Sequence, residues 1–216
     1  MKRHQVLSAL LGLFLISFSP WTLSSDGWES LGETKNVKGY VKAVPGSSLK
    51  AFKGVMIMDV SIKKIWWVLT NYDNDFRKEW VDRLQVSKEL ELLGSAERIT
   101  YQSFDLPWPI SDRDYVYHSK AEMQGENIYI SIKSTKHSKA PETVGVRAQL
   151  NQSKYLLEPL GDNKTRVTVE IHTDPKGLLP AWLVNLIQKG WPVKTLNNLK
   201  TQTAKYNGQD IKLPGK

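Results

Sequence analysis

From Val81 to Ile171 the chain alternates between short runs of β-branched and aromatic residues and loops built from Gly, Asn and Asp, and only after that does it carry one long helical stripe. Ile128, Ile130 and Ile132 interleave with Asn127, Tyr129 and Ser131, and Val167, Val169 and Ile171 interleave with Thr168, Glu170 and His172. That is the period of a strand with one covered face. Further strands are expected over 84–92, 98–104, 114–123 and 144–157. The Gly-Glu-Asn and Gly-Asp-Asn-Lys loops between such runs imply antiparallel neighbours. Upstream, 37–44 and 49–60 read as a strand pair around Pro45-Gly46-Ser47-Ser48. In the second of them both parities are apolar, as if both faces were covered.

Two helical patterns frame the strands. Ile62, Ile65, Trp66 and Leu69 fall on one helical face behind Ser61, a capping residue, and Asn71-Tyr72-Asp73-Asn74-Asp75 breaks that helix. At the other end Leu179, Trp182, Leu183, Leu186, Ile187, Leu196 and Leu199 trace a helical stripe. Pro180 sits in its first turn, and Pro192 after Gly190 is expected to kink or interrupt it near the middle. A short helix, many antiparallel strands and a long amphipathic C-terminal helix give an α+β domain with the helix laid across a bent sheet. Such a sheet can enclose a cavity, although periodicity leaves open whether side chains or a ligand fill it.

The first residues, Met-Lys-Arg-His, precede an apolar stretch from Val6 to Phe18 and then Pro20, Thr22 and Ser24, the layout of a secretory signal peptide. The stretch is well short of the ~20 residues that cross a bilayer as a helix. Cleavage is expected after Ser24, giving a signal peptide over 1–24, a folded domain over 26–210, and an exported protein, periplasmic or secreted. Export permits disulfides, yet there are 0 Cys, so the core alone must hold the fold. The net charge of +8 includes Lys2 and Arg3 of the leader. The remaining excess of positive charge favours transient contact with an anionic membrane surface, with ordinary solvation as the alternative. Scattered lysines on an exported chain argue against nucleic acid. We expect a monomer.

Three segments resemble the StAR-related lipid-transfer (START) family, and most of all its phosphatidylcholine-transfer branch. They are Tyr72-Asp73-Asn74-Asp75-Phe76-Arg77-Lys78-Glu79-Trp80, Pro107-Trp108-Pro109-Ile110-Ser111-Asp112-Arg113-Asp114-Tyr115-Val116-Tyr117, and Asp174-Pro175-Lys176-Gly177-Leu178-Leu179-Pro180-Ala181-Trp182-Leu183-Val184-Asn185. The resemblance implies a helix-grip fold, in which a strongly curved antiparallel sheet wraps round the C-terminal helix with an internal hydrophobic cavity between them. It further implies carriage of one phospholipid, sterol or similar amphiphile, with the C-terminal helix and nearby loops as a gate.

It also implies site residues. Arg77 matches the arginine that faces the lipid phosphate, a role a permanently charged, bidentate guanidinium suits; a solvated Arg at a helix end is the plainer reading. The branch's acidic residue after the Trp is here Val81, with Asp82 one place later. Arg113 and Asp114 fall where the family carries a buried charged pair, and the acidic partner on the preceding strand falls near Gln102, so Asp105 or a ligand head group is left to pair with Arg113. Trp80, Trp108, Tyr115 and Tyr117 can form a cation–π cage or plain core. Of the branch's cage positions Tyr115 keeps an aromatic while Gln102 and Asn151 replace the others, so choline selectivity is not expected. Trp182, Leu183, Leu186 and Ile187 are expected to face the cavity.

Two other functions compete. The wider helix-grip superfamily includes cyclases and hydrolases, but there is no G-x-S-x-G, H-E-x-x-H or glycine-rich phosphate loop. His118, His137 and His172 lack metal-ligand spacing, so no metal or cofactor is expected. An acid–base pair of Asp105 with His118 is the remaining enzymatic option. The third reading is an envelope interaction module using the basic surface and exposed tryptophans.

Overall fold

The computed structural model describes residues 26–208 and 211–215; the expected signal peptide lies outside the described residues. Ten strands form one sheet: β1 (Glu29–Thr34), β2 (Val37–Lys42), β3 (Ala51–Met58), β4 (Leu84–Gly94), β5 (Glu97–Phe104), β6 (Arg113–Gln124), β7 (Asn127–Ser134), β8 (Val146–Arg147), β9 (Gln149–Gly161) and β10 (Lys164–Asp174). Their order is β1-β2-β3-β10-β9-β7-β6-β5-β4, antiparallel throughout, with the two-residue β8 added parallel to β6. Register shifts interrupt the β1/β2, β4/β5 and β9/β10 pairings. Each extra residue bends its strand and sharpens the twist, which curls the sheet around a concave face.

Helix α1 (Ile62–Thr70) and the short α2 (Asn74–Lys78) close one end of that face, and α3 (Ala181–Lys189) and α4 (Trp191–Gln202) cross it. The core lies where α1 and α4 meet the sheet, through buried Ile65, Val68, Met56, Leu157, Val167, Leu196 and Leu199. Gly54 of β3 sets how closely α4 approaches: a Cβ built there would lie 2.7 Å from Pro192 Cβ and 3.2 Å from Leu196 Cδ1. Among the described residues no helix is long and apolar enough to cross a membrane.

The α+β class and helix-grip architecture are as expected, with four local departures. The single strand expected over 144–157 is split at Ala148 into β8, parallel to β6, and β9. β1 was not foreseen, because Glu29–Thr34 has a single large apolar residue, Leu31, and no buried position. The Asn71–Asp75 run does end α1, but its Asp73 also starts α2, its carboxylate accepting from Phe76 N–H at 2.8 Å. The C-terminal stripe is two helices broken at Gly190, with Pro192 in the first turn of α4 where its absent N–H costs nothing.

Candidate functional site

Strand alternation decides which side chains reach the concave face. On β5 these are Arg98, Gln102 and Phe104, and on β6 Tyr115, Tyr117, Ser119 and Ala121; with Ile130 and Ile132 of β7 and Tyr155 of β9 they line an inner cavity of about 160 Å³. Trp66, Leu69 and Tyr72 close it from the α1 side, Arg77 of α2 and Trp80 just after that helix from the α2 side, and Trp191 from α4. A second, outer cavity of about 520 Å³ lies under α3, lined by Leu106, Pro107, Ile110, Leu179, Val184 and Ile187 among others. The two share Asp82, Phe104, Tyr115, Ile171, Trp191 and Thr195 as their common boundary. There Phe104 and Tyr115 meet edge to face, ring centroids 5.8 Å apart.

The inner cavity has a polar end. Arg77 is 8% exposed, and its Nη1 donates to the Leu69 and Asn71 carbonyls at 3.4 and 3.5 Å, the outer limit for such bonds. Its Nε has no partner. The guanidinium lies 4.7 Å from the Tyr72 ring and 5.7 Å from Trp80. Burial raises the phenol pKa of Tyr117 and of Tyr155, against the opposing charge of Arg77, so both remain neutral hydroxyls. Burial likewise raises Tyr115, whose oxygen accepts from Thr173 Oγ1 at 3.4 Å. Gln102 donates to Ser87 Oγ at 3.2 Å, and the indole N–H of Trp80 is buried without a partner.

Arg77, Trp80, Gln102 and Tyr115 are thus brought together on the inner cavity. The other expected site residues are elsewhere. Arg113 lines the outer cavity but meets no carboxylate: it clamps the 174–177 loop, donating through Nε to Pro175 O at 2.7 Å, through Nη2 to Lys176 O at 3.1 Å, and to the Ser111 carbonyl. Lys176 and Gly177 there have positive φ of 54° and 75°, a backbone those carbonyl contacts hold in place. Asp114, next in sequence, points through the opposite face of the sheet, fully buried. It pairs with Arg147 and accepts from Val144 N–H at 3.0 Å. Arg113 and Asp114 therefore do not pair with each other, and Asp105 does not replace the partner.

The expected inward face of the C-terminal helix is also corrected. Trp182 and Leu186 are 68% and 63% exposed, Leu183 is half-buried, and none of the three lines either cavity. Ile187 does line the outer cavity, and the buried residues of α3 beside it are Val184 and Gln188. Polar contacts fix that rotation: Asn185 accepts from Lys50 N–H at 2.9 Å and donates to Ser48 O at 3.1 Å, while Gln188 donates to Thr173 O at 3.3 Å. A stripe read from apolar residues alone does not detect this, because the anchors are amides. Trp108 is 92% exposed rather than part of a cage.

His118 bonds Glu97 at 2.7 Å and stands opposite Ile99 on β5. Asp105 follows the far end of β5, roughly 20 Å away along the strand, so the acid–base pair considered above is not assembled. Among the described residues no group of three or more His, Cys, Asp or Glu can hold a metal ion. Sequence reasoning missed Tyr72, Arg98, Tyr155 and Trp191. Arg98 shares its parity with Gln102 on β5, a signal that becomes readable once Gln102 is placed inward.

The START domain model matches residues 16–209. Bovine phosphatidylcholine transfer protein is 26% identical over 77% of this chain and 79% of its own length. The crystal structure of human STARD10 superposes with a TM-score of 0.76 at 27% identity, covering 85% of this chain and 75% of that one. A STAR-related lipid transfer protein from Xanthomonas axonopodis superposes with a TM-score of 0.73 at 28% identity, over 83% of this chain and all of that fragment. The chain belongs to the START domain family, whose members bind lipids.

Proposed function

We propose that this protein is an exported carrier that holds one phospholipid, sterol or similar amphiphile between its sheet and its C-terminal helices and moves it across water. The observation that carries this reading is Arg77, a buried, permanently charged donor with an orphaned Nε in the wall of the inner cavity. An apolar outer chamber follows it toward α3. In this reading Arg77 clamps an oxygen-rich head, as the match of its segment to the phosphatidylcholine-transfer branch implies. The acyl chains run past Phe104 and Trp191 into the outer chamber.

The energetics suit a carrier. Burying acyl chains is worth about 0.8 kcal/mol per CH₂, and a bilayer offers the chains nearly the same, so transfer between membrane and protein is close to balanced. The rim of the outer chamber is suited to meet a membrane. Trp108 and Leu178 are fully or almost fully exposed beside the lining residues Pro107 and Leu179, and Trp182 and Leu186 project from α3. Exposed tryptophans favour the polar–apolar boundary of a bilayer, and the basic chain adds attraction to anionic lipid. Export rests on the Lys2-Arg3 and Val6–Phe18 layout.

The test is transfer of a fluorescent phospholipid from donor to acceptor vesicles. We expect a rate proportional to protein, lowered at least about tenfold by a Trp108→Ser/Trp182→Ser double variant that still loads lipid. No transfer above the protein-free rate, for any phospholipid or sterol tried, would remove the carrier reading.

A further inference from the structure

We infer that the polar end of the inner cavity selects an amphiphile whose head is net anionic, a phosphate or carboxylate without an attached ammonium group, and that Arg98 is a second cation responsible for that choice. This rests on the carrier reading and concerns which cargo the site accepts. Arg98 projects from β5 into the inner cavity, with its side chain 12% exposed and its guanidinium 3.9 Å from the Tyr72 ring, the ring that Arg77 also approaches at 4.7 Å. Two guanidinium groups thus share one aromatic ring at one end of one cavity.

The negative side of the balance is small. The single carboxylate in the lining is Asp82, and it is held by Lys194 of α4 at 2.7 Å. Arg98 is bonded to Glu89 at 3.0 Å, but Glu89 reaches it from the edge strand β4 and is 37% exposed. Among the described residues Arg77 enters no ion pair, and its Nε has no partner. A buried cation of this kind is completed by an anion that enters with the ligand.

The same geometry rejects an ammonium head. A quaternary ammonium is recognised by aromatic faces or by carboxylates. The aromatic faces in contact with the two guanidinium groups, Tyr72 and Trp80, already carry Arg77 and Arg98, and Gln102 offers an amide in place of a ring. A choline placed there would compete with two guanidinium groups for the same rings and be repelled by both.

The experiment is capture from vesicles containing equal amounts of phosphatidylglycerol and phosphatidylcholine with identical acyl chains, read by native mass spectrometry of the lipid-free protein after incubation. Both lipids sit in one membrane, and the Arg98→Met variant, which removes one largely buried cation from a basic chain, separates selection by the site from enrichment of anionic lipid beneath the protein. We expect phosphatidylglycerol to be captured in roughly tenfold excess. Arg98→Met, with its melting temperature unchanged, should bring the ratio near unity, and Arg98→Lys should restore most of it. Oleate added to the same vesicles and captured in place of phosphatidylglycerol supports the inference with a carboxylate as the anion. Equal capture, or an excess of phosphatidylcholine, overturns the anionic selection and leaves the carrier reading standing. A ratio unmoved by Arg98→Met overturns the role of Arg98. Capture of neither lipid nor oleate removes the carrier reading and this inference with it.

Discussion

Arg113 and Asp114 are neighbours in sequence, yet they serve opposite faces of β6, and that separation decides what each can do. Asp114 has a fully buried carboxylate whose partners, Arg147 and the Val144 amide, tie the 141–148 loop to the convex face. Asp114→Asn should lower stability by about 1–3 kcal/mol, read as the urea midpoint, since Arg147 is partly exposed and regains water; lipid capture by the folded fraction should be unchanged. His172 supplies a pH dependence. Burial lowers its pKa, and its Nε2 is buried without a partner. The folded state therefore binds a proton less readily than the unfolded chain, so stability is complete above the ordinary histidine value of about 6.5 and declines as pH falls below it. The melting temperature should drop between pH 7 and pH 5, and His172→Phe should flatten that drop. Arg77 was legible because a family-like segment surrounds it, whereas Arg98 carries no local signal: its role comes from the face it shares with Gln102 and from Tyr72, two elements away. Arg113 was misread for the same reason, since its carbonyl partners lie on a loop more than sixty residues downstream.

At the scale of elements, the contact between β3 and α4 sets the grip. Gly54 leaves no space for a Cβ against Pro192, Val37 and Leu196, so Gly54→Ala should cost about 1–3 kcal/mol by overpacking. Gly54→Val should push α4 off the sheet, seen as loss of the thermal transition or exposure of Trp191 fluorescence. Most strands over 84–171 were legible because apolar alternation is strong where one face is buried, although the run over 144–157 hid the split between β8 and β9, and the break at Gly190-Trp191-Pro192 followed from proline chemistry. Two elements were not legible for identifiable reasons: β1 is exposed at the sheet edge and carries no alternation, and α2 is a single capped turn inside a run of residues that usually break helices. The face of α3 was misassigned because Asn185 and Gln188, which anchor it, are polar.

At the scale of the molecule, the curved sheet, the inner chamber lined by Arg77, and the apolar outer chamber beneath α3 form a container whose rim carries Trp108, Leu178 and Trp182. Contacts near the chambers hold the container shut. Asp82 pairs with Lys194 at 2.7 Å, Asn198 donates to the Trp80 carbonyl at 2.9 Å, and Gln202 donates to Glu79 at 2.6 Å, all joining α4 to the α2 region. The family resemblance implied a hollow between sheet and helix but not its division into two chambers, which depends on where Phe104, Tyr115 and Trp191 meet. The central claim, that this container carries one amphiphile, is tested most directly by native mass spectrometry of the protein purified from its own cells, with organic extraction of any adduct. The account predicts a chain beginning at residue 25 bearing one lipid-sized adduct that organic solvent removes. A bare protein mass that persists after incubation with mixed lipid vesicles would contradict it.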